Sequence, residues 1–439
     1  MGDPVIPTEW QNWIYENRSK NCDPEKMIEV LCDEGFPKRQ VTEAVIYALN
    51  GGSYHPPYIP RARYEGDDDI EIYSVKDFLN ADECLQLIEL MRNYQRPSTT
   101  TNDIEKYKNH RTSHSSDLAL LNSPFVQEID RRISKMLDIS PAFSEGIQGQ
   151  WYNVGEEFRE HTDYFEQDCN EFEQYARNTG QRTWTFMIYL NTVQEGGGTN
   201  FPKLNHCFTP EQGKAIIWNN LTPEGFPNPS TVHHGMPVIK GYKAIITKWF
   251  RTRGTGNIQY RLKHEYIRPH TQTGFLKKSI PSKLFRYLLR FYTNYRSSDL
   301  EKVQTKLTEN HQEISPDTIE IPPELQHEIH KTLQPLAEAW SGCLLKPLVI
   351  DEINIYSEGS TTKYGRTELG AISILLNLHQ KIERPWPIII EDHFYRSHKV
   401  SLVSGQLLMY ESKRLLPFSP VPLQGEHCTC MLAHYELDQ

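Results

Sequence analysis

The sequence predicts an α+β fold built on β-sandwich or jelly-roll sheets, and three observations predict it. Short runs rich in β-branched and aromatic residues recur along the chain: GQWYNV, TWTFMIYLN, GKAIIWNN and KAIITKWFR in the first half. Turn-forming residues such as Gly196-Gly197-Gly198 separate them, the punctuation expected of short antiparallel strands. Helix-period segments precede them: IEIYSVKDFL leads into NADECLQLIELMR, a strand followed by a helix with Asn80 at its N-cap, and a second helix is expected near 124–137.

At 439 residues the chain exceeds one ordinary core, so more than one domain is expected. Residues 1–52 read as a small helical unit. Trp10, Trp13 and Ile14 fall at helical spacing, and Met27, Val30 and Leu31 repeat it. Asp23-Pro24 and Phe36-Pro37 mark helix boundaries. A Gly- and Pro-rich stretch, GGSYHPPYIPRARYEGDDD, then acts as a linker or covering loop into a domain over 53–255. Beyond it, PSKLFRYLLRFYTNY reads as a packed helix and the charged 298–322 stretch as a connection or exposed helix. Strand-like runs return at LVIDEINIY, AISILLNL, WPIIIEDH, KVSLVSGQLLMY and TCMLAHYEL, so 256–439 reads as a second β-rich domain.

Composition narrows the function. A net charge of −10 argues against a generic nucleic-acid surface, which needs clustered Lys and Arg. No run approaches the roughly 20 apolar residues that span a bilayer, and MGDPVIPTEW lacks the basic and apolar regions of a secretory signal. The eight cysteines are scattered, which fits free thiols and a cytoplasmic setting.

His161-Thr162-Asp163 opens the chemical argument. Residues i and i+2 of a strand share a face, so an imidazole and a carboxylate can reach one ion. Alone the pattern is weak, since 17 His and 57 acidic residues give by chance 17 × 57/439, or about 2, matches; the other here is His434-Tyr435-Glu436. The region around His233, HHGMPVIKGYKAIITKWFR, adds a second imidazole, and Lys243 follows ten residues on. Two His and one carboxylate on one face of a metal leave positions open, as in non-haem Fe(II) oxygenases. A keto acid fills two of them, and its distal carboxylate then needs a buried cation.

Four segments in order, YNVGEEFREHTD, RTWTFMIYLN, GGGTNFP and HGMPVIKGYKAIITKW, make residues 111–251 resemble the catalytic domain of the prolyl 4-hydroxylase family of 2-oxoglutarate oxygenases. That resemblance implies a double-stranded β-helix, a jelly roll, with His161, Asp163 and His233 as Fe(II) ligands. Pro237 and Lys243, four and ten residues after His233, select it over His234. It further implies that Lys243 binds 2-oxoglutarate, that Tyr152 lines the co-substrate pocket, and that Arg182 and Trp249 face the substrate. Tyr152 and Trp249 are also readable as core aromatics, and Arg182 as a structural ion-pair partner.

The resemblance implies 2-oxoglutarate and O2 as co-substrates, ascorbate as supporting reductant, and succinate and CO2 as by-products of C–H hydroxylation. Retention of Asp163 favours hydroxylation over halogenation, and Lys243 in place of arginine speaks against nucleic-acid demethylation. A proline-containing protein or peptide is the expected substrate. The rivals are a hydroxylase of free proline or another small molecule, and a non-catalytic binding or sensor protein.

The C-terminal half resembles a degenerate, non-catalytic second oxygenase-like barrel. Placed on the family pattern, its ligand positions hold Lys363, Gly365 and Pro417, none of them an iron ligand, while Arg366 and Tyr410-Glu411-Ser412 remain. Packing, self-association into a homo-oligomer or substrate recruitment would be its role; an unrelated β-rich domain is the alternative. His393 and His398 are expected to be solvated loop histidines.

Overall fold

The computed structural model describes residues 6–19, 22, 24–38, 41–42, 44–45, 59–98, 111–166, 172–176, 179–222, 227–251, 269–298, 316–363 and 370–438. The chain divides into two compact units, Met1–Glu265 and Tyr266–Gln439. The expected boundary at 255/256 lies outside the described residues.

The N-terminal helices form where the prolines punctuate, at Thr8–Ser19 and Pro24–Asp33. Met27, Ile28 and Leu31 are buried there, whereas Val30 is 42% exposed. The inward stripe therefore runs through Met27, Ile28 and Leu31, and the expected Val30 lies off it. Helix Ala81–Asn93 begins at the Asn80 cap, whose side chain accepts from Glu83 N while Glu83 returns a bond to Asn80 N. The expected second helix is Pro124–Leu137.

Eight strands form the central part of the first unit's two sheets: β1 (Gln148–Tyr152), β2 (Phe158–His161), β3 (Arg182–Tyr189), β4 (Thr199–Phe201), β5 (His206–Phe208), β6 (Ala215–Asn219), β7 (His233–Gly235) and β8 (Lys243–Arg251). The large antiparallel sheet holds β6-β3-β8-β1 at its centre, flanked by Ile72–Val75 and His114–Asp117; the small one runs β5-β4-β7-β2. Tyr152, Met187, Tyr189, Phe201, Ile216, Trp218 and Ile245 are buried in one core. Gly149 lets the Ala81–Asn93 helix approach β1, since a Cβ there would meet Met91 Cγ at 2.8 Å.

The second unit repeats this strand order. Its strands are β9 (Ile353–Ser357), β10 (Thr362–Lys363), β11 (Ile372–Ile382), β12 (Ile388–Glu391), β13 (Ser397–Val400), β14 (Gln406–Tyr410), β15 (Phe418–Ser419) and β16 (Gly425–Leu437). The large sheet is centred on β14-β11-β16-β9 and the small one runs β13-β12-β15-β10, so each strand sits where its counterpart eight earlier sits in the first unit. The helix Ser282–Ser298 buries Leu284, Leu288 and Tyr292 against the core of this unit, and a further helix spans Pro323–Ser341.

The two units share landmarks in their register. Gly155 and Gly359 both turn the chain at positive φ, 83° and 84°, three residues before Phe158 and Thr362. Phe158 pairs with Gly235 and Thr362 with Ser419, so Pro417 stands at the place of His233. Of the expected counterparts of His161 and Asp163, Lys363 pairs with Phe418 at the end of β10, and Gly365 lies outside the described residues. Likewise Tyr152 pairs with Lys243 and Tyr356 with Cys428, which puts a thiol where the first unit has its lysine.

His393 is not a solvated loop histidine. It is buried, its Nε2 lies 3.0 Å from Glu411 Oε1, and Glu411 also accepts from Thr271. Burial would raise the Glu411 pKa, but His393 and Thr271 pull it down to about 2. His398 is tied to Asp392 at 2.9 Å. Seven cysteines are free thiols among the described residues, where no helix is long and apolar enough to cross a membrane.

Candidate metal and co-substrate site

The site lies between the two sheets of the first unit. His161 ends β2 and pairs directly with His233, which opens β7. Between this pair and Phe158↔Gly235 the register shifts, a bulge that lets Phe158 and His161 stack on each other with centroids 3.4 Å apart. Because β2 stops at His161, Asp163 does not share a strand face with it, as the spacing alone predicts. A bend beyond the strand carries it back instead, secured by a bond from Thr185 Oγ1 to Asp163 Oδ2 at 2.6 Å.

Ligand atoms of His161, Asp163 and His233 all lie within 4.8 Å of one another. His161 Nδ1 contacts Arg159 O at 2.7 Å and His233 Nδ1 contacts Thr231 O at 3.0 Å. A carbonyl only accepts, so Nδ1 carries the proton in each ring and Nε2 presents its lone pair to the cluster. Burial pushes the His233 pKa below the usual histidine value, with Asp163 opposing, so the ring is held neutral as a ligand must be. His233 is wedged between Phe201 and Trp218, at centroid distances of 5.3 and 4.9 Å. Two neutral imidazoles and a carboxylate converging on one point fit Fe(II).

Lys243, first residue of β8, is 1% exposed. Burial lowers its pKa to about 7, and no carboxylate among the described residues pairs with it. Its Nζ sits 4.7 Å from the ring centroid of Tyr152. The Tyr152 hydroxyl is committed to Gln150 Oε1 at 2.9 Å. A desolvated cation without a counter-ion is costly, and an incoming carboxylate would relieve that cost.

The seven residues singled out from the sequence, His161, Asp163, His233, Lys243, Tyr152, Arg182 and Trp249, all line one cavity of about 560 Å³. Arg182 is an ion-pair partner at the cavity wall. It forks onto Glu145 at 2.6 and 2.8 Å, and its guanidinium also covers Trp249 at 4.0 Å within the cavity. Glu145 also takes Arg251 at 2.7 Å. Burial alone would raise the Glu145 pKa, but the two guanidiniums hold it below the usual carboxylate value.

Three contributors escaped the sequence reading. Arg111 lines the cavity and lies 5.0 Å over Phe158, with bonds to Ser113, Ser115 and Gln148. Thr185 and Asn220 lie behind Asp163, both fully buried. The available signal was two asparagines closing the apolar run of β6, since a buried amide needs partners.

The site combines the donor set of a non-haem iron centre with a buried cation placed to meet a carboxylate. Residues 147–251 match the 2OG-Fe(II) oxygenase superfamily, and the chain is homologous to prolyl 4-hydroxylases. It is 34% identical over 197 residues to the probable prolyl 4-hydroxylase 10 of Arabidopsis thaliana, covering 40% of this chain and 66% of that protein. It is 30% identical over 251 residues to the prolyl 4-hydroxylase subunit alpha-1 of Gallus gallus, covering 54% of this chain and 48% of that one. The chain thus spans less than two thirds of each relative's length. Among solved structures, the viral collagen prolyl hydroxylase of Paramecium Bursaria Chlorella virus-1, in its 2OG complex, matches at 23% identity and a TM-score of 0.33, over 42% of this chain and 96% of that one.

Proposed function

We propose that this protein is an Fe(II)- and 2-oxoglutarate-dependent dioxygenase that hydroxylates prolyl residues of a protein or peptide. The observation that carries the reading is the pairing, in one cavity, of the His161/Asp163/His233 cluster with the unpaired, buried Lys243. Homology to prolyl 4-hydroxylases supports the choice of proline.

His161, Asp163 and His233 would hold the iron, and Lys243 would take the distal carboxylate of 2-oxoglutarate beside Tyr152. Bound iron supplies the oxidative chemistry, in which O2 converts 2-oxoglutarate to succinate and CO2 and a C–H bond to an alcohol. The chain's part is orientation and exclusion of water: Phe158, Phe201 and Trp218 wall the histidines, and Trp249 and Arg182 line the side where a peptide would lie. Ascorbate is the supporting reductant in this reading, and the cytoplasm its location. The second unit is a degenerate barrel that recruits substrate or joins copies of the chain, in keeping with its repeated strand order and with Pro417 at the distal ligand place.

Incubation with Fe(II), 2-oxoglutarate and proline-containing peptides should yield a +16 Da product located on proline by fragmentation. Modification of free proline alone, with every peptide untouched, contradicts the proposal.

A further inference from the structure

Behind Asp163 lies a chain of buried hydrogen bonds with a fixed direction. The Trp218 indole Nε1 donates to Asn220 Oδ1 at 2.9 Å. An indole N–H only donates, so the Asn220 carbonyl must face Trp218 and its amide must face the other way. That amide donates to Thr185 Oγ1 at 2.9 Å. With its acceptor side engaged, the single Thr185 proton goes to Asp163 Oδ2 at 2.6 Å. Trp218, Asn220 and Thr185 are each at most 1% exposed, so no bulk water substitutes for a missing link.

We infer that Thr185, Asn220 and Trp218 are positioning residues that restrict Asp163 to a single metal-facing oxygen, Oδ1. Oδ2 is consumed by the chain, while Oδ1 lies 4.0 Å from His161 Nε2. A carboxylate free to rotate would offer both oxygens and occupy a position that the co-substrates need. The hydroxyl bond prevents this, and the direction is set two residues away by an aromatic donor that cannot be reversed.

The second unit supports the assignment. Thr185 pairs across the sheet with Trp218, and Ser373 pairs in the same way with Tyr410. There the chain is dismantled. Ser373 Oγ contacts His434 Nδ1 at 2.7 Å, and Ser412, at the place of Asn220, donates to Gly370 O at 3.0 Å. Among the described residues, the Asn220-to-Thr185 link of the first unit has no counterpart in the second, where Pro417 stands at the place of the distal histidine.

This inference rests on the metal-centre reading of His161, Asp163 and His233, and the test separates the two. Co(II) titration of the full chain, followed by visible absorption, gives an affinity and a coordination signature without turnover. Thr185→Ser should bind within about threefold of wild type. Thr185→Val keeps the shape without the hydroxyl, and Asn220→Asp keeps the acceptor for Trp218 but draws the Thr185 proton away from Asp163. Both should weaken Co(II) by roughly 10- to 100-fold and alter the absorption bands. A folded Thr185→Val or Asn220→Asp with wild-type affinity and spectrum overturns the relay and leaves the metal centre standing. Wild-type protein that binds no Co(II), or binds it as well after His161→Ala, overturns both.

Discussion

Lys243 and Tyr152 are cross-strand partners, with the ammonium 4.7 Å from the phenol ring centroid and no carboxylate paired with it among the described residues. A cation–π contact offsets part of the desolvation of the lysine but supplies no counter-charge. The keto acid's distal carboxylate completes the pair. Lys243→Ala should therefore raise the apparent KM for 2-oxoglutarate by roughly 30- to 150-fold, equivalent to about 2–3 kcal/mol for a lost charged hydrogen bond. An unchanged KM in steady-state kinetics would remove Lys243 from the co-substrate site.

The same lysine predicts a pH dependence. Burial brings its pKa to about 7, so the free protein loses the cation as pH rises through that value. A carboxylate beside it raises the pKa in the complex, so binding takes up a proton above pH 7. The Kd for 2-oxoglutarate should be flat below pH 7 and then rise about tenfold per pH unit until the pKa of the complex is passed. Calorimetry in buffers of different ionisation enthalpy reads the proton uptake directly; none at pH 8 contradicts the assignment.

Glu145 is shared by Arg182 and Arg251, and removing it leaves two largely buried guanidiniums facing each other. Glu145→Ala should cost about 3 kcal/mol of stability, seen as a lowered denaturant midpoint. A midpoint equal to that of wild type would show that the ion pairs are replaced by solvent.

Among the described residues the ligand cluster lies in the first unit, while in the second Pro417 stands at the place of His233 and Cys428 at that of Lys243, so a single centre is expected. His161→Ala should by itself abolish succinate formation. Residual turnover at a tenth of wild type or more would point to a second active centre.

What could be read from the sequence followed from local chemistry. Alternating β-branched runs marked the sheets, Asn80 marked its helix, and the His161, His233 and Lys243 spacings marked the site. The helix Pro323–Ser341 went unread because Pro335 interrupts its pattern, yet it buries Leu325, Ile329 and Leu333. The bend after β2 was also hidden, since HxD spacing describes a strand equally well. Thr185 and Asn220 depend on contacts between residues 22 and 35 apart in sequence, and Arg111 on one with Gln148, 37 residues away. Such contacts leave no local periodicity.

Succinate release from 2-oxoglutarate in the presence of Fe(II) and ascorbate, with and without proline-containing peptides, tests the central claim most directly. The account predicts peptide-stimulated succinate formation matched mole for mole by a +16 Da peptide, and neither product from His161→Ala. Metal-loaded protein that forms no succinate with any peptide, or forms it without modifying one, would contradict it.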